Sequence, residues 1–97
     1  MIAIMIVILL APSLSHAFTL HWDADPNDPR DGFRLYRHAG LCKDEVKKWK
    51  VVNEYPPDDY QGKTATPKKG LIRCYVMRAF RGDLESGDSN LLQWPKV

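Results

Sequence analysis

At 97 residues the chain has room for one small domain. Its 14 Lys and Arg against 12 Asp and Glu leave a net charge of +2, too balanced to single out nucleic acid or an anionic membrane surface as a partner. All of that charge lies beyond residue 17, because "MIAIMIVILLAPSLSHA" contains no Asp, Glu, Lys or Arg.

The opening segment is apolar without a break from Ile2 to Ala11, then carries Pro12 and small residues up to Ser15-His16-Ala17. That is the layout of a secretory leader with a peptidase site after Ala17, although no Lys or Arg precedes the apolar core. The run is shorter than the roughly 18 apolar residues needed to span a bilayer. Residues 1–17 are therefore expected to be a signal peptide and Phe18–Val97 the mature domain, secreted or periplasmic, with no stable membrane span after cleavage. A domain of this size has a modest core and is only marginally stable by itself. Two cysteines in an exported chain imply one disulfide, Cys42–Cys74. Neither has a CxxC partner or a His at ligand spacing, so a zinc site is not expected.

Along the mature chain, "FTLHWD" alternates, with Phe18, Leu20 and Trp22 on one face, as in a half-buried strand. "ADPNDPRDG" follows and is too rich in Pro, Asp and Asn for regular structure. "FRLYRH" alternates again, placing Phe33 and Leu35 opposite Arg34, Tyr36 and His38. "AGLCKDEVKKWK" connects onward, with a helical turn over Lys43–Lys48. Further strands are expected in "WKVVNEY", at Lys63–Thr66, in "LIRCYVMRAF" and in "SNLLQWPK". Short strands at this spacing, with no helix of ten or more residues in the mature part, predict an antiparallel β-sandwich.

Two stretches resemble the fibronectin type III domain family. "LHWDADPNDPRDGFRLYRH" is similar to its strand B, B–C loop and strand C, through Leu20, Trp22, Gly32, Phe33, Leu35 and Tyr36. "CYVMRAFRGDLESGDSNLL" is similar to strand F, the F–G loop and strand G of bacterial members, through Tyr75, Met77, Ala79, Phe80, Gly82, Glu85, Ser86, Ser89 and Asn90. The resemblance covers most of residues 18–96 and is weakest between Ala39 and Pro67. It implies an immunoglobulin-like sandwich of strands B, C, C′, E, F and G, with Phe18, Leu20, Trp22, Phe33, Leu35, Tyr75, Met77 and Ala79 in the core. It also brings the end of strand C beside the start of strand F, where Cys42 and Cys74 fall. Two departures stand out. Once residues 1–17 are removed, nothing supplies strand A, and Arg73 occupies the place where strand F commonly opens with a Tyr.

Arg81-Gly82-Asp83 spells an integrin-recognition tripeptide at the position of the F–G loop. The family's turn already demands Gly82, and Asp is favoured beside it for turn geometry, so an ordinary turn is the expectation. Asp23, Asp25, Asp28 and Asp31 are the best metal candidates, but their spacing fits no EF-hand loop and Pro26 and Pro29 restrict convergence. A solvated acidic loop is expected instead, and Lys43, Lys47, Lys48 and Lys50, interleaved with Asp44 and Glu45, read as a solvated turn. His21 and His38 fall on outward strand positions with no nucleophile beside them. The sequence thus points to a module without catalytic activity, metal or cofactor, engaging a protein or cell-surface partner. The alternatives are a truncated structural spacer, a small secreted inhibitor and an RGD-type adhesion ligand. Without strand A the edge of strand B is left open for strand addition, by a partner or in a homodimer.

Overall fold

The structure, a computed structural model, describes residues 8–11, 17–65, 67 and 70–94. Among the described residues eight strands run β1 (Ile8–Ala11), β2 (Ala17–Trp22), β3 (Gly32–Ala39), β4 (Lys50–Tyr55), β5 (Gln61–Ala65), β6 (Arg73–Arg81), β7 (Leu84–Glu85) and β8 (Leu92–Trp94). They form a three-stranded sheet in the order β1-β2-β5 and a five-stranded sheet in the order β4-β3-β6-β7, with β8 also on β6. Every pairing is antiparallel. The protein is an all-β immunoglobulin-like sandwich, as its alternating segments require: each strand has one face to bury and the two sheets bury them against each other.

The core is drawn from the inner face of both sheets. Phe18, Leu20 and Trp22 of β2 meet Phe33 and Leu35 of β3 and Tyr75, Met77 and Ala79 of β6, with Tyr55 and Leu92 at the margins. Trp22 lies at its centre, its ring 4.9 Å from that of Tyr55 and 5.5 Å from that of Phe33. Phe18 meets Tyr75 edge-on at 5.5 Å and Trp94 at 5.9 Å. Gly62 in β5 is dictated by this packing, because a Cβ there would come within 2.3 Å of the Tyr55 ring. A bulge in the β3–β4 ladder, where Leu35 faces Asn53 and Tyr36 faces Val51, leaves Val52 as the extra residue.

Between β7 and β8 the chain leaves regular pairing, yet the neighbouring β6 backbone stays satisfied. The Ser86 amide donates to the Ala79 carbonyl at 2.9 Å, and the Ala79 amide donates to the Ser86 hydroxyl at 2.9 Å. Ser89 does the same for Met77, at 3.0 and 2.8 Å. In each pair a serine hydroxyl stands in for the missing ladder carbonyl. That gives the Glu85-Ser86 and Ser89-Asn90 matches of the sequence a physical reason.

Residues 8–11 lie on the outer edge of β2, from Ile8 opposite Trp22 to Ala11 opposite Thr19; the open edge is the expectation for a chain without residues 1–17. Pro12–His16, which hold most of the expected cleavage signal, lie outside the described residues. Two expectations need correction. The helical turn expected over Lys43–Lys48 is absent: that stretch is turns and bends, tied down from its two ends. The second correction concerns His38 and belongs with the loop that covers it.

Candidate functional site

Antiparallel strands collect the loops at two ends. At one end lie the β2–β3 loop, the β4–β5 loop and the β6–β7 hairpin, where Arg81-Gly82-Asp83 sits. Arg81 pairs with Leu84, so Gly82 and Asp83 form a two-residue turn. Gly82 has φ +56° while no non-glycine residue among the described residues has a positive φ, the pattern of a type II′ hairpin turn with Gly first. The Asp31 carboxylate accepts the Gly82 amide at 2.7 Å, and the Asp31 amide donates to the Phe80 carbonyl at 2.7 Å. Arg81, Gly82 and Asp83 are all exposed. The tripeptide is therefore a short, clamped hairpin tip.

The neighbouring acidic loop is organised by a residue the sequence reading passed over. Arg30 donates to the carbonyls of Asp25 (2.7 Å), Asp28 (3.3 Å) and Pro57 (2.9 Å) and to the Tyr60 hydroxyl (3.0 Å). Its guanidinium also lies 4.9 Å from the Phe33 ring centre. Asp25 closes a local turn by accepting the Asn27 amide at 2.9 Å. Asp25 is spent on a turn and Asp31 on a clamp, one Asp28 carboxylate oxygen is buried without a hydrogen-bond partner, and among the described residues no three acidic, His or Cys side chains stand close enough to hold a metal ion. Only the five-donor fork of Arg in a loop full of carbonyls hinted at this role.

At the other end Cys42 and Cys74 are joined, with Cα atoms 4.9 Å apart. The bond fastens the loop after β3 to the start of β6. Beneath that loop lies His38, expected to face outward but only 6% exposed. Alternation does place it on the outer face of its sheet, opposite Cys74; residues 41–49 then fold back over it. The Lys48 amide donates to Nδ1 at 3.1 Å, which leaves the proton of the neutral ring on Nε2, 2.9 Å from Asp44. His38 in turn holds the Asp44 carboxyl below its ordinary range, helped by the Leu41 amide. Trp49 packs edge-on against the imidazole at 6.1 Å. Lys47 donates to the Asp44 carbonyl at 2.9 Å, so this lysine serves the turn. Beside the disulfide, Leu41, Cys42, Lys43, Ile72 and Gln93 line a shallow open cleft.

Between the two ends, the outer face of the larger sheet carries a cross-strand ladder of alternating charge. Glu85 accepts from Arg34 at 3.0 Å and from Arg78 at 3.3 Å, and from the Tyr36 hydroxyl. Arg34 continues to Glu54 (3.2 Å) and Arg78 to Asp88 (2.5 Å). The Arg34 guanidinium stacks 3.9 Å from the Phe80 ring centre and that of Arg78 lies 4.5 Å from Tyr36. Burial would raise the Glu85 carboxyl, but the hydrogen bonds from Tyr36, Arg34 and Arg78 hold it below its ordinary value. Each cation already has a carboxylate, so the ladder binds β7 to the sheet and presents no unpaired cation.

The smaller sheet differs. Its outer face shows Thr19, His21 and Lys63, and no ion pair of the described residues lies there. The outer edge of β2 is met by β1 alone.

No protein-family model and no curated protein matches the chain. Solved structures do. A pectate lyase from Erwinia chrysanthemi, solved with tetragalacturonic acid, aligns with a TM-score of 0.71 at 16% identity, over 96% of this chain and 29% of its own. The twitchin kinase region of C. elegans, which includes a segment named Fn31, gives 0.68 at 10% identity over 88% of this chain and 15% of its own. An Fn3-like protein from Clostridium thermocellum gives 0.60 at 17% identity over 99% of this chain and 93% of its own. The chain thus spans less than a third of the pectate lyase and nearly the whole of the clostridial protein. The fold is that of fibronectin type III-like modules.

Proposed function

We propose that the protein is an exported, non-catalytic interaction module of the fibronectin type III kind, whose work is done by its surfaces on a protein or cell-surface partner. The observation that carries this reading is the edge of β2: its one cover, residues 8–11, belongs to the segment that reads as a leader. Removing that segment turns β2 from an inner strand into an edge strand that offers backbone donors and acceptors to another strand. The disulfide supports an oxidising compartment for so small a domain, and no helix of the described residues is long and apolar enough to cross a membrane.

The test is capture on the purified, oxidised chain from Phe18 to Val97, presented with the envelope and medium of its own host. Retention of a defined partner by the native chain, and not by the reduced and unfolded one, is expected. Retention of nothing overturns the reading in favour of a spacer. That second reading has its own support, since in the pectate lyase a module of this fold is under a third of the chain. Under it, the activity would reside elsewhere in a larger assembly.

A further inference from the structure

The backbone of β2 shows which of its groups an incoming strand would meet. The Trp22 amide donates to the Tyr60 carbonyl at 3.0 Å, on the β5 side. Backbone groups alternate sides along a strand, so Phe18, Leu20 and Trp22 serve β5, while Thr19 and His21 present amide and carbonyl to β1. The register agrees: Thr19 stands opposite Ala11 and His21 opposite Leu9, with Leu10 opposite Leu20 between them.

The stretch Phe18-Thr19-Leu20-His21-Trp22 is near-symmetric about Leu20, running aromatic, polar, Leu, polar, aromatic. A second copy laid antiparallel on the same edge with Leu20 opposite Leu20 therefore reproduces the β1 arrangement. Thr19 of each copy exchanges both backbone hydrogen bonds with His21 of the other. Phe18 falls opposite Trp22 on the inner face, where Trp94 already packs on Phe18. The new α-ammonium group at Phe18 comes beside the exposed Asp23 of the other copy, an attraction that appears only on cleavage. Such a contact is two-fold and closes on itself, so it stops at a dimer and does not run on into a fibre.

Resting on the leader reading above, we propose that, in the chain cleaved after Ala17, the edge vacated by residues 8–11 is taken by β2 of a second copy, joining two β2-β5 pairs across Leu20 into one four-stranded sheet. In the uncleaved chain residues 8–11 act as a built-in cap, and removing them makes the protein competent to pair.

Sedimentation of the oxidised chain from Phe18 over a range of concentrations tests this; all members of the core cluster lie within that chain. A mass of two chains is expected, with slowed exchange at the Thr19 and His21 amides. His21→Pro removes an outward donor at a place where an edge strand accepts proline, and it should return the mass to one chain. A chain beginning at Ile8 keeps β1 and should also sediment as one chain. This comparison decides the matter if His21→Pro loses its near-ultraviolet circular dichroism. One-chain mass for the Phe18 chain at every concentration overturns the proposal, even if it accepts a foreign strand. So does a dimer that survives in both variants. Intact mass of the protein from its host separates the two ways of failing: a chain that still carries residues 8–11 sinks the leader reading as well, whereas a monomer beginning at Phe18 sinks the pairing alone.

Discussion

The two sheets share one core but are held on their outer sides by different means. The sheet β4-β3-β6-β7 has the disulfide at one end, a hairpin clamped by Asp31 at the other and the Glu54–Arg34–Glu85–Arg78–Asp88 ladder between. Its central pairing, β3 with β6, runs unbroken from Gly32–Phe80 to Ala39–Arg73. The sheet β1-β2-β5 has none of these fastenings among the described residues. One face of the molecule is thus a frame, fixed by bonds within the chain, and the other is an edge whose pairing depends on what lies beside it. Stability against local opening should follow the same division.

The largest test removes what the two sheets share. Trp22→Ala leaves a cavity between Phe33 and Tyr55 and should cost about 3–5 kcal/mol. In a domain this small that abolishes cooperative urea unfolding in both sheets at once, and loss from one sheet only would contradict a single core. Replacing both cysteines by serine comes next, at about 3–4 kcal/mol for a loop of this length. Hydrogen exchange should speed first around residues 40–49 and 73–76 and last in β2 and β5; uniform acceleration would show that the frame does not depend on the bond.

Ser86→Ala withdraws the hydroxyl that accepts the buried Ala79 amide and should lower stability by about 1–3 kcal/mol, read from the urea midpoint. Ser86→Thr, which keeps the oxygen, should recover part of it. Glu85→Gln acts on the half-exposed ladder and should cost no more than about 1 kcal/mol. Its signature is pH dependence. The folded Glu85 carboxyl lies below its ordinary value of 4.5, so its contribution is complete above that pH and is lost as pH falls through the folded value. The variant should show a flatter acid limb, and an unchanged limb would remove Glu85 from the account of the frame. Smallest of all, Arg81→Ala should leave stability within about 0.5 kcal/mol, because the hairpin is held through Gly82 and Asp31. A larger loss would mean that Arg81 serves the turn.

Much of the shared core was legible beforehand because alternation with period two is itself a burial code. Phe18, Leu20 and Trp22, then Phe33 and Leu35, then Tyr75, Met77 and Ala79 could only face one core. Two cysteines allowed one bond, and Gly82 before an Asp marked the hairpin. His38 was misread by the same code, which assigns a face but cannot know that residues 41–49 return to cover it. Arg30 was missed because its partners, Pro57 and Tyr60, lie in another loop.

By itself, then, the sequence determined β2 to β6 and β8, the inner faces, the cross-link and the class of fold, since each rests on local periodicity or on a count. Tertiary structure alone decided what happens on the outer surfaces: the burial of His38 over Asp44, the bridging of loops by Arg30, the charge ladder centred on Glu85 and the seating of residues 8–11 on β2. Those depend on which segments and loops the fold brings together, and hydrogen bonds of that kind leave no period in a sequence.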